Sequence, residues 1–303
     1  MKPWLLLLPA CVLAQAPVVS GDAELSGTIG GKPLVIRTTS RLAGAIDSVK
    51  WDGVEFIDSY DHGRQLQSAI NADVAGVYHV ECYNPTEAGS VVDARGPKST
   101  SRLEFLSAKD GMLEARTRMA FWLAPGLQSH GQLAQNRTLL SDYVLGKRVR
   151  IGRPGMEHVI DYKVTFTVPD DGPHKFLQFE ALTGYMPEAF SSEFSFDAKT
   201  STLVAVSRKN GEIRDPIVLS TPSGSHAMGV FTPERPAVGQ PPVGYGRFKF
   251  ETDKVVKWNC VFRVRQNEPI KPGDYSYQLY VVIGTREDCR RTLAALSQEF
   301  ASR

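Results

Sequence analysis

Cysteine is scarce: the chain has four in 303 residues, and one of them, Cys11, lies in its apolar start. The other three, Cys82, Cys260 and Cys289, are an odd number, which excludes a complete disulfide framework. Their spacing fits no zinc pattern, so no metal is expected and buried thiols are. Long apolar runs are also missing, and the one in "MKPWLLLLPACVLAQA" is far too short to span a bilayer. Basic clusters go no further than "CRR" and "GKRVRIGR", with a formal net charge of +2. A nucleic-acid partner would need a clustered basic face, so none is expected. The H-E-x-x-H, Gly-x-Ser-x-Gly, phosphate-loop and dinucleotide patterns are absent, and "GSHAMG" at 224–229 lacks the nucleophile-elbow spacing. Nicotinamide, nucleotide and serine-hydrolase chemistries therefore find no support, and no cofactor is expected.

The start of the chain reads as an export signal. Lys2 supplies the positive charge, Leu5 to Leu8 the apolar stretch, and Ala14 the small residue before a cut. A signal peptide over 1–14 and a single domain over 15–303 are expected, the product being periplasmic or secreted. A lipoprotein at Cys11 is the weaker alternative.

Almost all the rest reads as strands. Asp-Gly and Asn-Gly turns mark hairpins in "VKWDGVEFI", "LEFLSAKDGMLEARTRMAFW" and "LVAVSRKNGEIRDPIVL". Alternation in "DYKVTFTVP" puts Tyr162, Val164, Phe166 and Val168 on one face and Lys163, Thr165 and Thr167 on the other. That is a sheet with one wet face. Helical spacing is confined to the end, where Thr285 with Asp288 forms a cap ahead of Cys289, Leu293, Leu296 and Phe300. "GLQSHGQLAQNRTLLSDY" reads as a crossover loop with a helical turn, and "TPERPAVGQPPVGYGR" as a long loop. Many strands without βαβ alternation define an all-β fold, a large antiparallel β-sandwich with a C-terminal helix.

Two polar segments stand out. "YDHGRQLQ" crowds Asp61, His62, Arg64, Gln65 and Gln67 into a short connection, and planar Arg and Gln groups offer paired donors for sugar hydroxyls or a carboxylate. The competing structural account is a polar knot closing a buried loop, with Asp61 paired to Arg64. "YHVECYNPTEAG" reads as a strand with His79, Glu81 and Tyr83 on one face, ended by Asn84-Pro85, with Glu87 in the turn beyond. Tyr185 before a Met-Pro pair offers a ring for stacking on a pyranose, and His226 opens a strand after a Ser/Gly turn. His62, His79 and Glu81 also allow a two-His-one-carboxylate metal site.

The segments "GAIDSVKWDGVEFIDSYDHGRQLQ", "YNPTEAG", "YMPEAF", "AMGVFTP" and "YQLYVVIGTREDC" resemble exported bacterial proteins of the galactose-mutarotase-like supersandwich class. That resemblance implies a two-layer β-sandwich with carbohydrate in a concave face, the class including epimerases and domains of lyases and glycoside hydrolases. The Gly63-Arg64 pair is the one local match to the mutarotase cleft loop. An exported protein acting on a sugar or glycan by general acid/base chemistry is thus expected. Glu87 and His62 are its proton-transfer candidates, with Asp61, Arg64, Gln67, Asn84, Tyr185 and His226 binding substrate. A non-catalytic glycan-binding or envelope domain and a metal-dependent hydrolase are the alternatives.

Overall fold

A computed structural model describes residues 19–206 and 209–301; the export signal expected over 1–14 lies outside them. Two of the hairpins form as their turn residues require. Ile46–Trp51 returns as Val54–Glu55 through Asp52 and Gly53, and Arg102–Lys109 returns as Met112–Phe121 through Asp110 and Gly111; all four turn residues have positive φ. The third does not form. Gly211 has φ +143, outside the tight-turn region, and the Asn210 side chain holds both backbone groups of Lys249. Gly211–Ile213 therefore pairs with the strand Gly244–Phe250 instead of folding back on Thr202–Ala205.

Among the described residues nineteen strands join into one continuous hydrogen-bonded sheet that doubles over into two layers. The back layer runs from Arg102–Lys109 through Met112–Phe121, Leu140–Arg153, Met156–Val168, Gly273–Gly284 and Ala227–Phe231, and on through Ile217–Ser220 to Ser192–Asp197. The front layer sets Leu66–Ala72 beside Phe176–Pro187, then Val255–Arg265, then Gly244–Phe250. Ala23–Ile29, Lys32–Thr38 and Ile46–Trp51 extend it through the Ile46–Leu66 pair.

Aromatic rings lock the layers together. Phe166 of the back strand lies 5.1 Å from Phe179 of the front, and Phe262 stacks on Tyr277 at 4.1 Å. Tyr162, Val164, Phe166 and Val168 all enter this core, the face that alternation assigned to them. The helix Arg286–Ala301 covers the outside of the back layer with Cys289, Leu293 and Leu296. Its start is capped as expected: Thr285 Oγ1 accepts from the Asp288 amide at 3.1 Å, and Asp288 Oδ2 accepts from the Thr285 amide at 3.0 Å. Cys82, Cys260 and Cys289 are buried free thiols.

Two connections differ from expectation. Residues 128–133 form a two-stranded ribbon turned by His130 and Gly131, both with positive φ, where a helical turn was expected. Residues 78–83 form no strand, because Glu81 is left-handed (φ 65) and the Asn71 side chain takes its amide out of any ladder.

Candidate active face

The two polar segments meet, but in the interior. Gln67 donates to the Gly63 carbonyl at 2.9 Å and accepts from the Ala88 amide at 3.2 Å. Ser68 donates its amide to Glu87 Oε2 at 3.1 Å, and Glu87 Oε1 takes Lys147 Nζ at 2.5 Å. Lys147 Nζ also donates to the Gly44 carbonyl at 2.6 Å. Both side chains of the Glu87–Lys147 pair are 1% exposed, so no ligand reaches them.

His62 is equally spoken for. Its Nδ1 lies 2.9 Å from the Ala94 carbonyl and its Nε2 2.9 Å from the Arg41 carbonyl, which leaves neither nitrogen for a substrate. Asn84 is buried with its amide on the Ile70 carbonyl at 2.7 Å. The assignment of Glu87 and His62 to proton transfer is therefore corrected: with Gln67 and Asn84 they form the structural knot. His226 has other neighbours, edge-on to Trp51 at 5.5 Å and with Nδ1 at Ser225 Oγ. The alternative metal set does not assemble: among the described residues no three His, Cys, Asp or Glu side chains gather to hold an ion.

A different polar cluster lies on the outward face of the front layer. Strand pairing sets Glu180 opposite Val261, Thr183 opposite Asn259, and Tyr185 opposite Lys257. Simple alternation would turn Glu180 and Thr183 to opposite faces. The register shift between Glu180 and Leu182 leaves Ala181 as an extra residue and brings both to one face. Glu180 Oε2 then accepts from Thr183 Oγ1 at 3.0 Å, Lys257 Nζ at 3.2 Å and Asn259 Nδ2 at 3.2 Å. All three converge on Oε2; among the described residues, Oε1 has no hydrogen-bond partner. The side chains of Glu180 and Lys257 are 17% and 13% exposed, which makes this pair, unlike Glu87–Lys147, partly open.

A glycine makes the room. A Cβ on Gly246 would lie 2.1 Å from Asn259 Oδ1, which accepts the Gly246 amide, while on the core side a Cβ on Gly184 would meet the Trp258 indole at 2.5 Å. Aromatics wall the cluster. Lys257 Nζ lies 5.1 Å from the Tyr185 ring centre and 5.5 Å from that of Phe248, and Tyr185 stacks with Phe250. Burial disfavours the Glu180 carboxylate, but Lys257, Asn259 and Thr183 outweigh it and hold the acid below its usual range. Burial likewise opposes the Lys257 ammonium, and Glu180 with Tyr185 raises it regardless. Burial raises the Tyr185 phenol against the pull of Lys257.

The rim is charged, and Arg263 and Arg64 on it are paired. Arg263 holds Glu212 with both terminal nitrogens, at 2.9 and 2.5 Å, and Gln178 through Nε at 2.9 Å. A depression of about 240 Å³ opens beside Arg263, lined by Glu212, Arg214, Pro241 and Pro242 of the Pro/Gly-rich loop. At the other end Arg64 pairs with Asp253 at 2.8 Å and Asp61 at 3.3 Å. Tyr78 closes the side: its ring meets Phe176 edge-on at 4.7 Å, and burial, with Glu180 nearby, pushes its phenol up to about 12. A larger depression, about 870 Å³, lies apart, lined by Ser20, Ser40, Lys98 and Arg102. It includes none of these groups. Of the residues nominated from sequence, Tyr185 lies in the cluster, and Arg64 and Asp61 at its rim. Glu180, Thr183, Lys257 and Asn259 were missed; Lys257 and Asn259 stand two apart in "VKWNC" as a wet-face signal, whereas Glu180 and Thr183 stand three apart and give none.

No family model matches the sequence, and no curated protein does. Solved structures do. An α-mannosidase from Enterococcus faecalis V583 aligns with a TM-score of 0.52 at 9% identity, over 95% of this chain and 32% of that one. The Slr1438 protein of Synechocystis sp. PCC 6803 aligns at 0.46 with 10% identity, over 92% and 100% of the two chains. A Klebsiella pneumoniae protein assigned as an aldose 1-epimerase aligns at 0.41 with 10% identity, over 90% and 84%. The protein is thus an all-β sandwich that shares its fold with part of a carbohydrate-processing enzyme, the likeness being one of architecture alone.

Proposed function

We propose that the protein is an exported carbohydrate-binding protein that recognises a saccharide across the outward face of its front layer. The observation that carries this is Glu180. Its Oε2 is saturated by Thr183, Lys257 and Asn259 while Oε1 has no hydrogen-bond partner among the described residues, so an ionised acceptor is held ready for hydroxyl donors, with the Tyr185 ring against the same lysine as an aromatic wall. Charge narrows the ligand. Lys257, Arg263 and Arg64 each face a carboxylate, which favours an uncharged sugar at these positions. The amino-terminal "MKPWLLLLPACVLAQA" supports export.

Recognition fits the groups better than proton transfer does. Glu180 is held as the anion, Lys257 as the cation and Tyr185 as the phenol, and none is poised near neutral pH. Turnover is the second reading, favoured by the contact of Lys257 with both Glu180 and Tyr185, which would steady a phenolate as a proton came off. A printed array of neutral and acidic glycans, followed by reducing-end assays on the best ligand, tests both. Binding to neutral glycans that Glu180→Gln and Lys257→Met abolish supports recognition, and released reducing ends support turnover. An array without a hit, or binding untouched by both substitutions, sinks the proposal.

A further inference from the structure

Away from the Glu180 cluster, four titratable side chains meet where the chain enters the strand Phe176–Pro187. Tyr83 donates its hydroxyl to Asp171 Oδ2 at 2.6 Å, and His174 Nε2 lies 2.9 Å from Asp171 Oδ1. Tyr143 OH is 3.1 Å from His174 Nε2 and 3.4 Å from Asp171 Oδ1. His174 Nδ1 bonds to the Asp73 carbonyl. Asp73 in turn accepts with Oδ1 from the Lys175 and Phe176 amides, at 2.9 and 2.7 Å, and with Oδ2 from the Gly76 amide at 2.7 Å. Both ends of segment 73–83 are therefore fastened here, Asp73 at one end and Tyr83 at the other. Between them the segment carries Tyr78, packed on Phe176 beside Glu180 and Arg263, and Glu81, whose charge acts on Tyr78 and Tyr185.

We propose that Asp171 and His174 are positioning residues for the outward face of the front layer, clamping segment 73–83 against the sheet: Asp171 holds Tyr83, His174 holds Asp73, and the contact that locks these two anchors together holds only while His174 is protonated. The geometry dictates the proton dependence. A carbonyl oxygen only accepts, so Nδ1 must carry a hydrogen to bond Asp73. With that hydrogen fixed, Nε2 donates to Asp171 only as imidazolium; in the neutral ring its lone pair faces the Asp171 carboxylate and can accept only from the Tyr143 hydroxyl, so the bond to Asp171 is lost. The groups around the ring agree. Asp171 and Asp73 supply negative charge, Tyr83 and Tyr143 stay neutral because burial raises both phenols, and Asp142 acts on Tyr83 from further off. Burial pulls His174 down, and the bonds and charges of Asp171 and Asp73 outweigh it. A raised folded value means the clamp is fully present below the free value of 6.5 and is lost as pH rises through the folded one. The device rests on the saccharide reading only for its effect on affinity.

Hydrogen exchange read by mass spectrometry from pH 6 to 9, corrected for the intrinsic rate, tests the clamp without any ligand. In the wild type, opening of peptides covering 74–83 should climb by up to about tenfold per pH unit between the free and folded His174 values. His174→Gln should exchange fast at every pH, with the slope gone. Asp171→Asn, on a half-exposed turn, gives the same comparison if the histidine variant folds poorly. Flat wild-type protection, or an unchanged slope in either variant, overturns the clamp. Affinity for the array's best neutral glycan should fall over the same pH window; a protein that binds no glycan removes that consequence and leaves the exchange result to judge the clamp.

Discussion

Two of the protein's glutamate–lysine pairs, Glu87–Lys147 and Glu180–Lys257, differ in almost everything that matters. Glu87–Lys147 lies between the layers, with both carboxylate oxygens bonded to protein and both side chains sealed from water. Glu180–Lys257 lies on the outward face of the front layer, partly open, with one carboxylate oxygen free. The first is a fastening that joins the Gly44 turn, the 84–90 segment and the back layer. The second is a surface that a ligand can address. What separates them is the side of the sheet each lysine takes: Lys147 shares the inward face with Leu145 and Val149, whereas Lys257 alternates with inward Val256 and Trp258.

Breaking the buried pair should have the largest effect. Lys147→Met leaves Glu87 uncompensated and should cost about 3–5 kcal/mol of stability, read as a lower urea midpoint. The surviving folded fraction should bind saccharide as before. Lys257→Met should do the reverse: binding should weaken by about 1.5–3 kcal/mol, the worth of a hydrogen bond to a charged group, with a smaller loss of stability. Equal stability losses in the two variants would erase the distinction. Acid sharpens it further. Because the folded Glu180 value is lowered, its contribution is present above the free value of 4.5 and is lost as pH falls through the folded one. Urea midpoints between pH 3 and 6 should fall more steeply with acid in the wild type than in Glu180→Gln. The smallest effect is expected of Tyr185→Leu, which should lose about 0.5–1.5 kcal/mol of saccharide affinity through its ring and leave stability nearly unchanged.

Much of the fold was legible because it rests on short-range rules. Asp52-Gly53 and Asp110-Gly111 demanded turns, the Tyr162 to Val168 alternation declared its buried face, and Thr285 with Asp288 announced a helix. Asn210-Gly211 carried the same turn signal and misled, because the Asn210 side chain found a partner on a strand 39 residues away. The face itself was illegible for a related reason. The density of polar residues in "DHGRQLQ" and "YNPTEAG" reflects the need to satisfy buried groups, which looks in sequence like the need to grip a ligand. Glu180 and Thr183 are three apart, a spacing that alternation assigns to opposite faces and that only the irregular pairing with Val255–Arg265 reconciles.

That irregularity acts as a reading frame for the strand. Upstream of Ala181, even-numbered residues look outward; downstream, odd-numbered ones do. Straightening the bulge with Ala181 still in place would turn Thr183 and Tyr185 toward the core and bring Leu182 and Met186 to solvent. Deleting Ala181 would not, because Glu180 and Thr183 would then stand two apart and plain alternation would keep both outward. The extra residue and the kink it causes are thus a matched pair: the face survives with both or with neither, and is erased by losing the kink alone.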